Sequence, residues 1–151
     1  LEESIGQPVF ASPGQLMNFL AHLLMGSQTP QQALGSLLGD FVKGPVQKIA
    51  LPDDVRGGIW LHRRIDVFTD SHPLVLQSKA RISPARRRYA GIMVDMFYDH
   101  LLARHWQHFA EQSLVEFTQQ AYRNLLQHPE LIPENAWPVI QHMSEPIRPR
   151  F

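Results

Sequence analysis

From Asp53 to Asp70 the chain comes back to one side of a helix every three or four residues, through Val55, Ile59, His62, Asp66 and Thr69, with Gly58 beside them. That spacing fits a repeat of 3.6 residues and excludes a strand. His62, Asp66 and Asp70, four residues apart, fall within an arc of about 80°. Val55 and Ile59 turn this stripe toward a core. A carboxylate there costs free energy unless it is paired, hydrogen-bonded or bound to a metal. One helix therefore carries half of a divalent-cation site, an imidazole and two carboxylates on one side.

The remaining segments read the same way. Met17 to Met25 is apolar and helical, stopping at Gly26. Thr29-Pro30 is a cap followed by a first-turn proline, which predicts a helix from Pro30 to about Lys43, before Gly44-Pro45. A short helix is expected from Pro73 to about Ile82, and the longest from Pro84 to about Phe109. Others follow from Leu114 to about Gln127 and from Glu134 to His142. No segment alternates with period two. The expected fold is all-α, a bundle of about six helices.

Three more of these helices bring ionisable groups toward the interior. In the long one Ile92, Asp95, Asp99, Leu102 and Trp106 share a face, and His100 adjoins Asp99. Asp40 follows Ala33 and Leu37 on one side of its helix, and His22 lies inside an apolar segment. Each has an ordinary explanation. His22 could be a satisfied core histidine, and Asp40 could cap a loop or pair with Lys43. Asp66 could pair with Arg63, Asp95 with Arg88, and Asp70 could cap the helix at Pro73. Four such clusters in one small domain argue instead for a shared metal centre and metal-assisted hydrolysis.

Composition narrows the choice. The 151 residues fit one domain, long enough to bury a core. Lys plus Arg equals Asp plus Glu at 14 each, which does not indicate a bulk nucleic-acid binder. Cysteine is absent, so a metal must be held by His, Asp, Glu, carbonyls and water, a set that suits Mn²⁺, Mg²⁺ or Fe²⁺ better than structural zinc. No apolar run approaches a membrane span. Residues 1–16 lack the pattern of a signal peptide and read as an extension ahead of Met17. A cytoplasmic location is the default expectation. Arg81, Arg86, Arg87 and Arg88, with Lys79 nearby, read as a solvated basic face or as a seat for an acidic partner.

Met17-Asn-Phe-Leu-Ala-His22, Gly39-Asp40-Phe41-Val42-Lys43-Gly44, His62-Arg-Arg-Ile-Asp66 with Thr69-Asp70, and Asp99-His100 with Arg104-His105-Trp106 resemble the acyl carrier protein phosphodiesterases of Gram-negative bacteria. The resemblance covers about residues 17–144 in order. It implies an HD-domain-like bundle, because that family is regarded as a divergent branch of the HD phosphohydrolases. No His-Asp dipeptide occurs here, and Asp99-His100 reverses the order. The resemblance also implies a reaction: hydrolysis of the phosphodiester between 4′-phosphopantetheine and a serine of holo acyl carrier protein, within fatty acid biosynthesis and lipid metabolism. Mn²⁺ is the implied metal, with Mg²⁺ or Fe²⁺ as alternatives. The ligands it suggests are His22, Asp40, His62, Asp66 and Asp99, then His100. Asp70 or Asp95 would accept the proton of the attacking water or orient a ligand, and Arg63 or Arg64 would steady the phosphate.

The family continues past the end of this chain, whose residues 145–151 form a proline-rich tail unlike it. A shortened bundle is expected to have impaired activity, or to need a homodimer partner to cover it. Two other functions fit the residues. One is an HD-like phosphohydrolase acting on another small phosphoester. The other is a non-catalytic module that only binds the carrier protein.

Overall fold

The computed structural model describes residues 19–26 and 29–144, the last three by backbone alone. The expected extension 1–16, the Met17-Asn18 start of the first motif and the tail 145–151 lie outside the described residues. Those described form seven α-helices, short 3₁₀ turns and no strand: α1 (Phe19–Gly26), α2 (Pro30–Leu38), α3 (Asp53–Ser71), α4 (Pro73–Ala80), α5 (Ala90–Arg104), α6 (Leu114–Leu126) and α7 (Trp137–Ser144). The all-α bundle read from the sequence is the fold observed.

The centre of the bundle is α2. Thr29 caps it by accepting the Gln32 N–H, and Pro30 takes the first turn. Every residue from Ala33 to Leu38 is buried. Leu34, Leu37 and Leu38 join Leu23 of α1, Val55 and Ile59 of α3, Leu125 of α6 and Val139 and Ile140 of α7 in one core. The most extensive packing is between α2 and α3. There Gly35 and Gly58 face each other, and a Cβ built on either would stand 2.8–2.9 Å from the other's Cα. Glycine is required at both positions by this backbone-to-backbone approach.

The largest differences from the sequence expectation are at the end of α2 and at both ends of α5, while α7 begins at Trp137, after a 3₁₀ turn from Glu134. Helix α2 stops at Leu38 instead of about Lys43. Beyond it Phe41 turns back into the core, and Arg63 of α3 donates to the carbonyls of Val42 and Gly44, holding the loop that replaces the last expected turn. The long helix expected from Pro84 starts as a 3₁₀ helix, Pro84–Tyr89, without a side-chain cap from Ser83, and becomes α-helical only at Ala90. It also ends early, at Arg104. Trp106 is buried there against Phe117, with its indole N–H on the Gln112 carbonyl at 2.8 Å, and this turns the chain before Phe109.

Candidate metal centre

The close seam between α2 and α3 decides what His62 can do. Gly39 follows the last residue of α2, and a Cβ there would press on the His62 ring, 2.7 Å from Nδ1. With only hydrogen at that position the ring fits between the helices, and its Nδ1 lies 2.7 Å from the Ser36 carbonyl. A carbonyl only accepts, so Nδ1 carries the proton and donates it. In the neutral ring Nε2 is then a lone pair. It faces Asp40 Oδ1 at 3.1 Å and Asp66 Oδ2 at 3.4 Å. A lone pair against two carboxylates is stable only with a proton or a metal cation between them. Burial pulls the His62 pKa down, but the hydrogen bond and charge of Asp40, the charge of Asp66 and the Ser36 carbonyl outweigh it and leave it raised.

Helix α1 supplies the second imidazole. His22 stacks on His62, ring centres 3.7 Å apart and planes 12° from parallel, and its Nε2 lies 3.0 Å from Asp66 Oδ1. Each oxygen of Asp66 thus meets one imidazole. Both histidines are buried, whereas Asp66 is 41% exposed, so the cluster opens to solvent on the carboxylate side. His22 Nδ1 is buried without a hydrogen-bond partner among the described residues.

This donor set fits a divalent cation. One ligand atom each from His22, His62 and Asp66 lies within 4.8 Å of the others. Neighbouring donors on an ion with bonds of about 2.1 Å stand about 3.0–3.4 Å apart. The Ser36 carbonyl gives His62 the outer hydrogen bond that metal-binding histidines commonly make. Nitrogen and oxygen donors without sulfur agree with Mn²⁺, Mg²⁺ or Fe²⁺.

The other candidates lie around this core. Asp40 touches it through His62. Asp99, on α5, accepts the backbone N–H groups of Leu20 and Ala21 at 3.3 Å each, two donors that the first turn of α1 cannot satisfy internally. It therefore anchors the turn that carries His22. Asp95 sits in the field of Asp66, Asp70 and Asp99. Burial first, then the Asp70 charge, raises its pKa to about 6 against the opposing pull of Lys79. Asp70 meets Lys79 at 3.5 Å, and the helix at Pro73 is capped by His72 instead. His100 is exposed, on the next side of α5 from Asp99, and outside the three-residue donor set. Arg63 is committed to the Val42 and Gly44 carbonyls, Arg64 lies over the Trp60 ring and Arg88 over Tyr89. The ordinary pairings of Asp66 with Arg63 and of Asp95 with Arg88 are therefore not the ones made. Gly39 and the Ser36 carbonyl went unrecognised in the sequence as site elements. The only available signal was a glycine beside Asp40, one turn past Gly35.

The family model for acyl carrier protein phosphodiesterase matches residues 17–146. The chain belongs to the acyl carrier protein phosphodiesterase family. It is 46% identical over 118 residues to the acyl carrier protein phosphodiesterase of Serratia proteamaculans, which covers 78% of this chain and 61% of that protein. It is 42% identical over 113 residues to the protein of the same name from Yersinia pestis, covering 74% and 58%. The likeness to the one from Escherichia coli O45:K1 is 43% over 103 residues, covering 68% and 53%. The chain thus spans about three fifths of the length of these curated relatives. No solved structure matches it. No described helix is long and apolar enough to cross a membrane.

Proposed function

We propose that this chain is a metal-dependent phosphodiesterase that hydrolyses the bond between 4′-phosphopantetheine and the serine of holo acyl carrier protein. The products are apo carrier protein and free 4′-phosphopantetheine. The observation that carries the proposal is the state of His62. With Nδ1–H spent on Ser36, its Nε2 faces the Asp40 and Asp66 carboxylates, an arrangement that calls for a proton or a cation between them. In a member of this family such a pocket is suited to a cation and a phosphodiester.

His22, His62 and Asp66 would hold the cation, with Asp40 and Asp99 around them. When bound, it supplies Lewis acidity that offsets the diester's charge and makes water a better nucleophile. Mn²⁺ is the proposed ion, with Mg²⁺ or Fe²⁺ as alternatives. The protein's own groups do the rest. Ser36 and Gly39 fix the His62 ring, and Asp99 fixes the turn bearing His22. A carboxylate with a pKa of about 6 is well placed to take a proton from water near neutral pH, so Asp95 is the proposed base, with Asp70 the alternative. Arg63 would have to leave the Val42 and Gly44 carbonyls to reach a phosphate, whereas Arg64 is exposed and lies over the Trp60 ring.

The kinship with HD phosphohydrolases and the place in fatty acid biosynthesis belong to the same reading and rest on the family likeness, and a cytoplasmic location and a homodimer are proposed beside them. Equilibrium sedimentation of the purified chain tests the dimer. Mass spectrometry of holo carrier protein incubated with the chain and Mn²⁺ tests the function. The expected result is loss of the phosphopantetheine mass, abolished by His62→Ala. Persistence of holo protein with a folded, Mn²⁺-loaded chain would reject the proposal, and cleavage of nucleotides alone would move it to the wider phosphohydrolases.

A further inference from the structure

From Ser71 to Val94 the chain has no Asp or Glu, yet it carries five of the fourteen Lys and Arg residues. They are Lys79 at the end of α4, Arg81 just after it, and Arg86, Arg87 and Arg88 in the 3₁₀ helix that leads into α5. All four arginines are exposed. No described carboxylate lies within ion-pair distance of any of them. A chain with no net charge has therefore gathered on one short segment four arginines that no described carboxylate neutralises.

Their position matters more than their number. Lys79 forms the border, with its ammonium 3.5 Å from Asp70 and against Gly91 at the start of α5. One turn further along α5 is Asp95, and the next is Asp99. Arg88 and Asp95 are separated by on the order of 10 Å of helix rise. The basic segment thus runs up to the rim of the carboxylate-rich mouth.

We propose that Lys79, Arg81 and Arg86 to Arg88 are the seat for the acidic surface of a carrier protein, placed so that its phosphodiester reaches His62 and Asp66. This rests on the phosphodiesterase reading of that site. A phosphate esterified to a serine stands only one side chain above the carrier's own surface. The carrier must therefore sit against the rim of the site and cannot reach it from a distance. A rim with five cations attracts an acidic partner from solution and orients it, mainly by raising the association rate. The carboxylates of the mouth repel the same partner, which limits contact to the basic side.

The test compares the wild-type chain with Arg86→Glu/Arg87→Glu in Mn²⁺, on holo carrier protein and on the small diester bis(p-nitrophenyl) phosphate. A third measurement follows carrier binding by fluorescence anisotropy from low to high salt. Charge reversal is expected to lower kcat/KM on the carrier at least about tenfold while the small diester is cleaved within about twofold of wild type. Carrier binding should weaken with salt in the wild type and be weak and nearly salt-independent in the variant. Arg86→Gln/Arg87→Gln should give a smaller loss in the same direction. Equal losses on both substrates, or no loss on the carrier, would overturn the proposal. If the wild type cleaves neither substrate, the phosphodiesterase reading fails, and binding alone decides. Salt-sensitive carrier binding removed by charge reversal upholds the seat, and its absence overturns it. Binding of a DNA duplex or anionic vesicles as tightly as the carrier would also overturn it.

Discussion

At the scale of single residues, the site is set by what surrounds each ionisable group. Asp95 gives a prediction with a definite sign. Its pKa is about 6 in the folded chain and about 3.8 when unfolded. A carboxyl whose folded value is raised costs stability wherever it is ionised in the native state, and costs nothing below both values. In metal-free protein, Asp95→Asn should therefore leave the melting temperature unchanged near pH 3, below both values. The gain should grow between pH 4 and 6 and level off above, at about 1–2 kcal/mol once partial exposure is allowed for. Thermal melts in chelator from pH 3 upward check this, and a gain largest at pH 3 would contradict it. His62 and Asp66 could be read from the sequence because a four-residue spacing on an apolar stripe survives into three dimensions. The Ser36 carbonyl could not, since every residue has one. Arg63, which the resemblance offers with Arg64 for the phosphate, reaches back to the α2 loop, because neighbours in sequence lie about 100° apart on a helix and it does not share the side of His62.

At the scale of elements, α1 is the piece most dependent on others. It has eight residues, too few to be stable alone. Its first turn is held by the Asp99 carboxylate through Leu20 and Ala21. Asp99→Ala should destabilise the chain by about 1 kcal/mol, the usual loss for a helix cap. Amide exchange should rise in α1 more than in α2 or α6, and Mn²⁺ affinity should fall because His22 loses its mounting. A uniform rise over all helices would deny this specific link. A helix start was legible where the capping residue before a proline makes its hydrogen bond, as at Thr29-Pro30, and not at Ser83-Pro84, where the chain begins as a 3₁₀ helix. Helix ends were not, because α2 and α5 stop where a distant partner, the Arg63 guanidinium or the Phe117 ring, takes over the chain.

Across the whole molecule, three helices and a turn meet around one cluster: α1 brings His22, α3 brings His62 and Asp66, the turn after α2 brings Asp40, and α5 brings Asp99, which holds the first turn of α1. An ion bound there would tie these parts together only in the folded state. Mn²⁺ at a hundred times its dissociation constant should stabilise the chain by about 2.7 kcal/mol. Differential scanning calorimetry should show the melting temperature rising with Mn²⁺ and falling back on chelation. His62→Ala should not respond. An equal rise in that variant would place the ion elsewhere. The seam where Gly35 meets Gly58 has its own consequence. Main chain lies directly on main chain there, with no side chain to act as a cushion. Even one added methyl group would work as a wedge, and the gaps from Ser36 and Asp40 to the imidazole would all widen together, so damage far from the solvent-facing mouth would reach the site undiminished.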